Sequence, residues 1–205
     1  MPGRYSKAST ISFGGLMKRA LKLDMTLATT LAMLGTLGTL QACAQTPPAP
    51  TTPPAGDELS LAVATEWAQA AIATCKTTGY NVTATVMNSD YSIKLVLRAD
   101  GTPAGTVDVG RRKAYTVLKM GMSSGDFGAS VGFPAGTPLP AVEPGQPRGV
   151  PPGNADQNLI IAAGGLPIKM AGKVVAAISI SGAPGGDKDV VCAEAGLAKI
   201  AGKLK

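Results

Sequence analysis

The stretch Gly164-Gly165-Leu166-Pro167-Ile168-Lys169-Met170-Ala171-Gly172-Lys173-Val174-Val175-Ala176-Ala177-Ile178-Ser179-Ile180-Ser181-Gly182-Ala183-Pro184-Gly185-Gly186-Asp187 decides the fold of this chain. Gly164-Gly165 reads as a tight turn, Pro167 to Met170 as a short strand and Ala171-Gly172 as a second turn. Lys173 to Ser181 carries a near-continuous apolar run of strand length, the mark of a buried strand. Glycines at 182, 185 and 186 then break it into a helix expected from about Asp187 to Gly202. Asp187 and Asp189 stand in the first turn, where carboxylates cap amides and complement the helix dipole. The elbow has the look of a phosphate cradle. However, no Lys-Ser/Thr follows and the two carboxylates would repel phosphate, so it reads as a folding device.

Upstream, Leu59, Val63, Trp67, Ala70 and Ala71 recur at helical spacing from Glu58 to about Thr78, with Asp57 as a candidate N-cap and Gly79 as a stop. Val82, Ala84 and Val86 alternate with polar neighbours, Asn88-Ser89-Asp90 turns the chain, and Ile93, Leu95 and Leu97 alternate again, which predicts an antiparallel hairpin. A second helix is expected over Thr106 to Met120. Residues 123–153 are rich in Gly and Pro, with a helical turn expected near Asp126. A loop of that length in a domain is usually functional or mobile. Leu159 to Ala162 reads as a further short strand. The sum is an α+β domain, a single mostly antiparallel sheet of about five strands with helices packed on it.

The first quarter of the 205 residues is of another kind. Basic residues at 18, 19 and 22 precede an uncharged run from Met25 to Leu40, and small residues follow at Ala42, Cys43 and Ala44, which is the anatomy of a secretory leader. Residues 1–43 are therefore expected to be a signal peptide, with Met17 as an alternative start. Leu40-Gln41-Ala42-Cys43 resembles a lipobox that would lipidate Cys43, whereas Ala42-Cys43-Ala44 would release a soluble protein. Residues 44–56 read as a Pro/Thr-rich tether and 57–205 as the domain. The chain is expected to be exported and periplasmic, touching the outer membrane only through a lipid anchor.

The net charge of +6 is largely the leader's, which leaves 14 basic against 12 acidic side chains in the remainder. A nearly neutral, aromatic-poor domain is a poor nucleic-acid binder. Cys75 and Cys192 lie in predicted helices. They pair as a disulfide if those helices pack side by side, or else serve as small buried apolar groups. The chain has no histidine, and no cysteines stand at metal-ligand spacing.

Arg98-Ala99-Asp100-Gly101, Lys113-Ala114-Tyr115-Thr116 and the run from Gly164 to Leu197 occur in this order. In that combination the chain resembles the HbpS-like or GlcG-like family, related to the C-terminal module of PduO-type proteins, over roughly residues 58–203. The resemblance implies an oligomeric module that binds haem in some members, with the helix bearing Lys113 and Thr116 lining the haem site.

Haem iron is ordinarily held by His, Met, Cys or Tyr. Without histidine the axial candidates are Tyr115 and Met120, then Met122 and Tyr91, with Lys113 as a propionate anchor and Arg98 completing the cofactor-binding set. Each residue also has a plainer reading. Tyr115 would be a half-buried core aromatic, the methionines gap-fillers, and Arg111-Arg112-Lys113 a solvated helix face. Arg98 would pair with a nearby carboxylate beside the Asp100-Gly101 turn. No acid/base or nucleophile constellation is present, so the expectation is an extracytoplasmic haem-binding homo-oligomer that is not an enzyme. The alternatives are a structural or small-molecule-binding oligomer without haem, and a haem-degrading enzyme.

Overall fold

The apolar run from Lys173 to Ser181 becomes the strand around which everything else is arranged. The computed structural model describes residues 58–142 and 145–204. The expected leader, Cys43, the tether and the Asp57 cap lie outside the described residues. The elements are α1 (Leu61–Thr77), β1 (Thr83–Asn88), β2 (Ile93–Arg98), α2 (Thr106–Met120), α3 (Ser124–Ser130), β3 (Gly165–Met170), β4 (Lys173–Ser181) and α4 (Gly186–Ile200), with a closing 3-10 turn at Ala201–Lys203.

The four strands form one antiparallel sheet in the order β2-β1-β4-β3. Strand periodicity gives its two faces different partners. Ala84, Val86, Ala176, Ile178 and Ile180 join Trp67, Ala68 and Ala193 in the core under α1 and α4. Met87 and Ala177 join Ala114 and Val117 of α2 on the opposite face. The result is a three-layer α/β/α arrangement. β3 pairs on one side only, a position that tolerates Pro167.

The face under α2 is polar as well as small. Ser179 Oγ donates to the Gly110 carbonyl at 2.7 Å, and the Thr83 and Thr106 hydroxyls meet at 2.7 Å. A Cβ on Gly110 would stand 2.7 Å from Thr85 Oγ1, so glycine is what lets the helix lie this close to the sheet.

The structure revises three expectations from the sequence. α1 begins at Leu61, with Ser60 Oγ accepting from the Val63 amide. Among the described residues the sheet has four strands rather than about five, because Leu159 to Ala162 pairs with none of them. The Ile160 amide donates to Thr116 Oγ1 and the Ile161 amide to the Gly149 carbonyl, so helix and loop take the hydrogen bonds a sheet edge would need. The Gly/Pro excursion is also pinned in place. Arg112 reaches from α2 to donate to the carbonyls of Arg148 and Leu159, each at 2.6 Å.

On the other face α1 and α4 run antiparallel in contact. Trp67 is fully buried and its Nε1 donates to the Ala193 carbonyl at 3.1 Å. Further along, Cys75 and Cys192 form a disulfide with a Cα–Cα distance of 5.4 Å, joining residues 117 apart in sequence. A crosslink across so long a loop restricts the unfolded chain strongly. Replacing both cysteines with alanine is expected to cost about 3–5 kcal/mol. For a domain of this size that lowers the midpoint of thermal unfolding by about 10 °C or more, measurable by circular dichroism.

Candidate functional site

Helix α2 carries most of the residues suspected from sequence, but it distributes them over different surroundings. Gly110, Lys113, Ala114 and Val117 follow the i, i+3, i+4, i+7 pattern, so Lys113 belongs to the stripe that faces the sheet. It is 1% exposed. Its Nζ donates to Asp189 Oδ2 at 2.6 Å and to the Ile180 carbonyl at 2.9 Å. Asp189, 3% exposed, accepts from the Ala183 amide at 3.0 Å through its other oxygen.

Lys113 and Asp189 come from opposite sides of the sheet and meet at the end of β4. Burial draws the Lys113 ammonium below its usual value and pushes the Asp189 carboxyl above its own, each partly offset by the other's charge. Gly164 makes room for them: a Cβ there would stand 2.8 Å from Lys113 Nζ and 2.7 Å from the Ile180 carbonyl, and its φ of +122° suits glycine.

Arg112 and Lys113 are thus buried, and the reading of residues 111–113 as a solvated face holds only for Arg111. That side chain lies between Asp108 and Asn158. With its ammonium bound to Asp189, Lys113 is not presented as a propionate anchor. Thr116 is likewise buried, its hydroxyl accepting from Ile160. Arg98 donates to the Thr102 carbonyl rather than to a carboxylate. It pairs in register with Thr83, beside the first residue of α2. Tyr115 lies nine residues further along, roughly 13 Å on the helix axis, so the fold does not bring Arg98 to it.

Tyr115 projects to the half-exposed side of α2. Its hydroxyl donates to Asp156 Oδ2 at 2.9 Å, and its ring stands 5.4 Å from that of Tyr91, tilted by 46°. Tyr91 occupies a positive-φ turn position and is 44% exposed. Asp156 is oriented by the Asn158 amide, and the bond it accepts from Tyr115 raises the phenol's pKa above its usual 10.0. Met120 and Met122 lie exposed just beyond. The sequence reading took Asp189 for a capping carboxylate of the α4 first turn, whereas it bonds Lys113 and the Ala183 amide, and it missed Asp156. The stripe position of Lys113 was the signal for a buried partner, but nothing local marked Asp156, which sits 41 residues from Tyr115.

Two open clefts lie nearby, one against this helix and one beyond its C-terminal end. The first, about 560 Å³, lies between the 134–139 loop and the glycine elbow, with Lys113 and Asp189 in its floor. The second, about 630 Å³, is bordered by Met122, Leu166, Lys169 and Glu194. Among the described residues no group of acidic, Cys or His side chains could hold a metal ion.

A family model described as "Haem degrading protein HbpS-like" matches residues 59–198. The crystal structure of HbpS superposes with a TM-score of 0.57 at 27% identity, covering 69% of this chain and 89% of that one. A double mutant of Streptomyces reticuli HbpS gives 0.56 at 27% identity, covering 69% and 86%. A PduOC:heme complex gives 0.57 at 17% identity, covering 70% and 95%, and at that identity shows the fold alone. A search of curated proteins finds no similar sequence.

Removing one member of a buried ion pair strands the other. Lys113→Met or Asp189→Leu alone is expected to destabilise by about 3–5 kcal/mol, and the two combined to recover most of the loss. Urea unfolding of the four proteins measures this, and simple additivity would refute the coupling. Tyr115 is expected to ionise at higher pH than a free tyrosine, seen as delayed phenolate absorbance on alkaline titration. Asp156→Asn should bring it back toward 10.0, the usual value.

Proposed function

The chain belongs to the HbpS-like family, and on that premise we propose that it is an exported haem-binding protein holding haem against the Tyr115 side of α2. The observation that carries this is the Tyr115–Asp156 hydrogen bond on a surface shared with Tyr91. The donor chemistry fits. Histidine is absent from the sequence, and the two cysteines of the domain are joined to each other. Tyrosine and methionine are what remain of the usual haem ligands, and Tyr91, Tyr115, Met120 and Met122 are all at least partly exposed.

A bound haem would supply iron-centred ligand binding and redox chemistry. The chain's own part is to orient a ligand. Asp156, 2.9 Å from the Tyr115 hydroxyl, fixes the direction in which the phenol presents its oxygen, and its hydrogen bond holds the proton there. Arg111, whose charge favours the Tyr115 phenolate, and exposed Lys119 are the cations nearest to hand for propionates. The surface is open rather than enclosed, a setting suited to holding and handing on haem rather than to water-excluding chemistry. Export is supported by the leader-like residues 1–43 and by the disulfide, a bond that persists in oxidising compartments. Exposed Leu61 and Val191 on the α1/α4 layer support a homo-oligomer, read by light scattering.

Titrating the exported protein with hemin is expected to give a saturable Soret shift. Tyr115→Phe should weaken binding at least tenfold while leaving thermal stability nearly unchanged. No saturable shift, or full affinity in Tyr115→Phe, sinks the proposal. Loss of the Soret band under a reductant would favour the haem-degrading alternative. Mass spectrometry of the processed N-terminus is expected to find either lipid-modified Cys43 or free Gln45.

A further inference from the structure

The cleft between the 134–139 loop and the glycine elbow has no part in the Tyr115 site, and none of its lining residues is His, Met, Cys or Tyr. Its volume, about 560 Å³, falls in the range of small-molecule pockets. Three features in it favour an anion. The first is the start of α4, a helix of 15 residues with Gly185 at its N-cap and no side-chain cap on its amides. Such an end carries partial positive charge and free N–H groups.

The second is Ser181. It is 3% exposed and lines the cleft, yet its hydroxyl has no partner among the described residues. Its neighbours on the same sheet face, Thr83 and Ser179, both hydrogen-bond to α2. The Ser181 hydroxyl instead faces the cleft, where it is free to donate to a ligand. The third is Arg148 on the opposite wall, whose backbone is held by Arg112.

The acidic groups nearby decide which anion. Both oxygens of Asp189 are already engaged, by Lys113 and by the Ala183 amide, so its charge is balanced. Asp187 remains beside Gly185 and disfavours a phosphate dianion more than a singly charged carboxylate. We propose that this cleft binds a small organic carboxylate, with Ser181 and the first amides of α4 as donors and Arg148 as the cation.

Propionate is a suitable singly charged probe, titrated into the ¹⁵N-labelled exported protein. Saturable shifts of the Ser181 and Gly185–Lys188 amides are expected, with no binding of propionamide. Ser181→Ala should weaken binding about tenfold, as for a hydrogen bond to a charged group. Its unfolding temperature should stay unchanged, since the hydroxyl supports nothing else in the fold. Absence of saturation, equal binding of propionamide or phosphate, or an unaffected Ser181→Ala overturns the proposal. Saturating the protein with hemin beforehand separates the sources of carboxylate. Persisting shifts with propionate support a free acid as ligand, and their abolition overturns that in favour of a haem propionate. Failure of hemin to bind would overturn the Tyr115 site and leave this one standing.

Discussion

A buried ammonium and a buried carboxylate meet at the end of β4, and the rest of the architecture has to accommodate them. Lys113 comes from the helix on one face of the sheet and Asp189 from the helix on the other, with the Ile180 carbonyl and the Ala183 amide completing their hydrogen bonds. Taking both charges out of water is costly, and only full hydrogen bonding repays it. That demand dictates Gly164, the only residue type that fits beside them. It also dictates the path of the elbow, which brings Ala183 and Asp189 round together. The linkage signs follow from the two shifts. Between its lowered pKa and 10.5, Lys113 binds its proton more tightly in the unfolded chain, so this contribution to stability grows as pH rises through that window. Asp189 does the reverse, and its contribution falls as pH rises from 3.8 to its raised value.

The same helix governs the long Gly/Pro segment by a similar means. Arg112 of α2 holds the carbonyls of Arg148 and Leu159, and Thr116 holds the Ile160 amide. Buried polar side chains take the place of strand pairing, which is why this stretch is positioned without being a strand. Its functional consequence is local. The pinned segment presents Asp156 to Tyr115 on one side of α2, and brings Arg148 and the 134–139 loop over the glycine elbow on the other. One helix thereby separates two surfaces of different chemistry: an open aromatic one carrying Tyr115 and Tyr91, and a cleft offering the first amides of α4 and the Ser181 hydroxyl.

Much of the fold was legible in the sequence because it rests on local patterns. The alternation of Val82, Ala84 and Val86 against Ile93, Leu95 and Leu97 defines a hairpin whatever surrounds it. The apolar run ending in Gly182 defines a buried strand followed by a helix. The Leu159 to Ala162 run misled because short apolar segments look alike whether they pair with strands or pack beneath a helix. The residues near the sites were less legible. Three adjacent cations at 111–113 suggest a solvated face when taken as a block. Read one at a time against the helical period, they point in different directions, one to solvent and two inward.

The sequence by itself determined the class of fold, the order of its elements and the membership of the HbpS-like family, since periodicity, turn chemistry and motif order are properties of short stretches. It also restricted which side chains could serve a haem iron, because a chain without histidine has few donors to offer. Only the tertiary structure decided which two cations of the block were buried and which one stayed near the surface, that Asp156 and not a nearer group faces Tyr115, and that the Ser181 hydroxyl faces a cleft. Those facts depend on contacts between residues six to 76 positions apart. The partner of a side chain across such distances is set by how the layers pack, which no local pattern records.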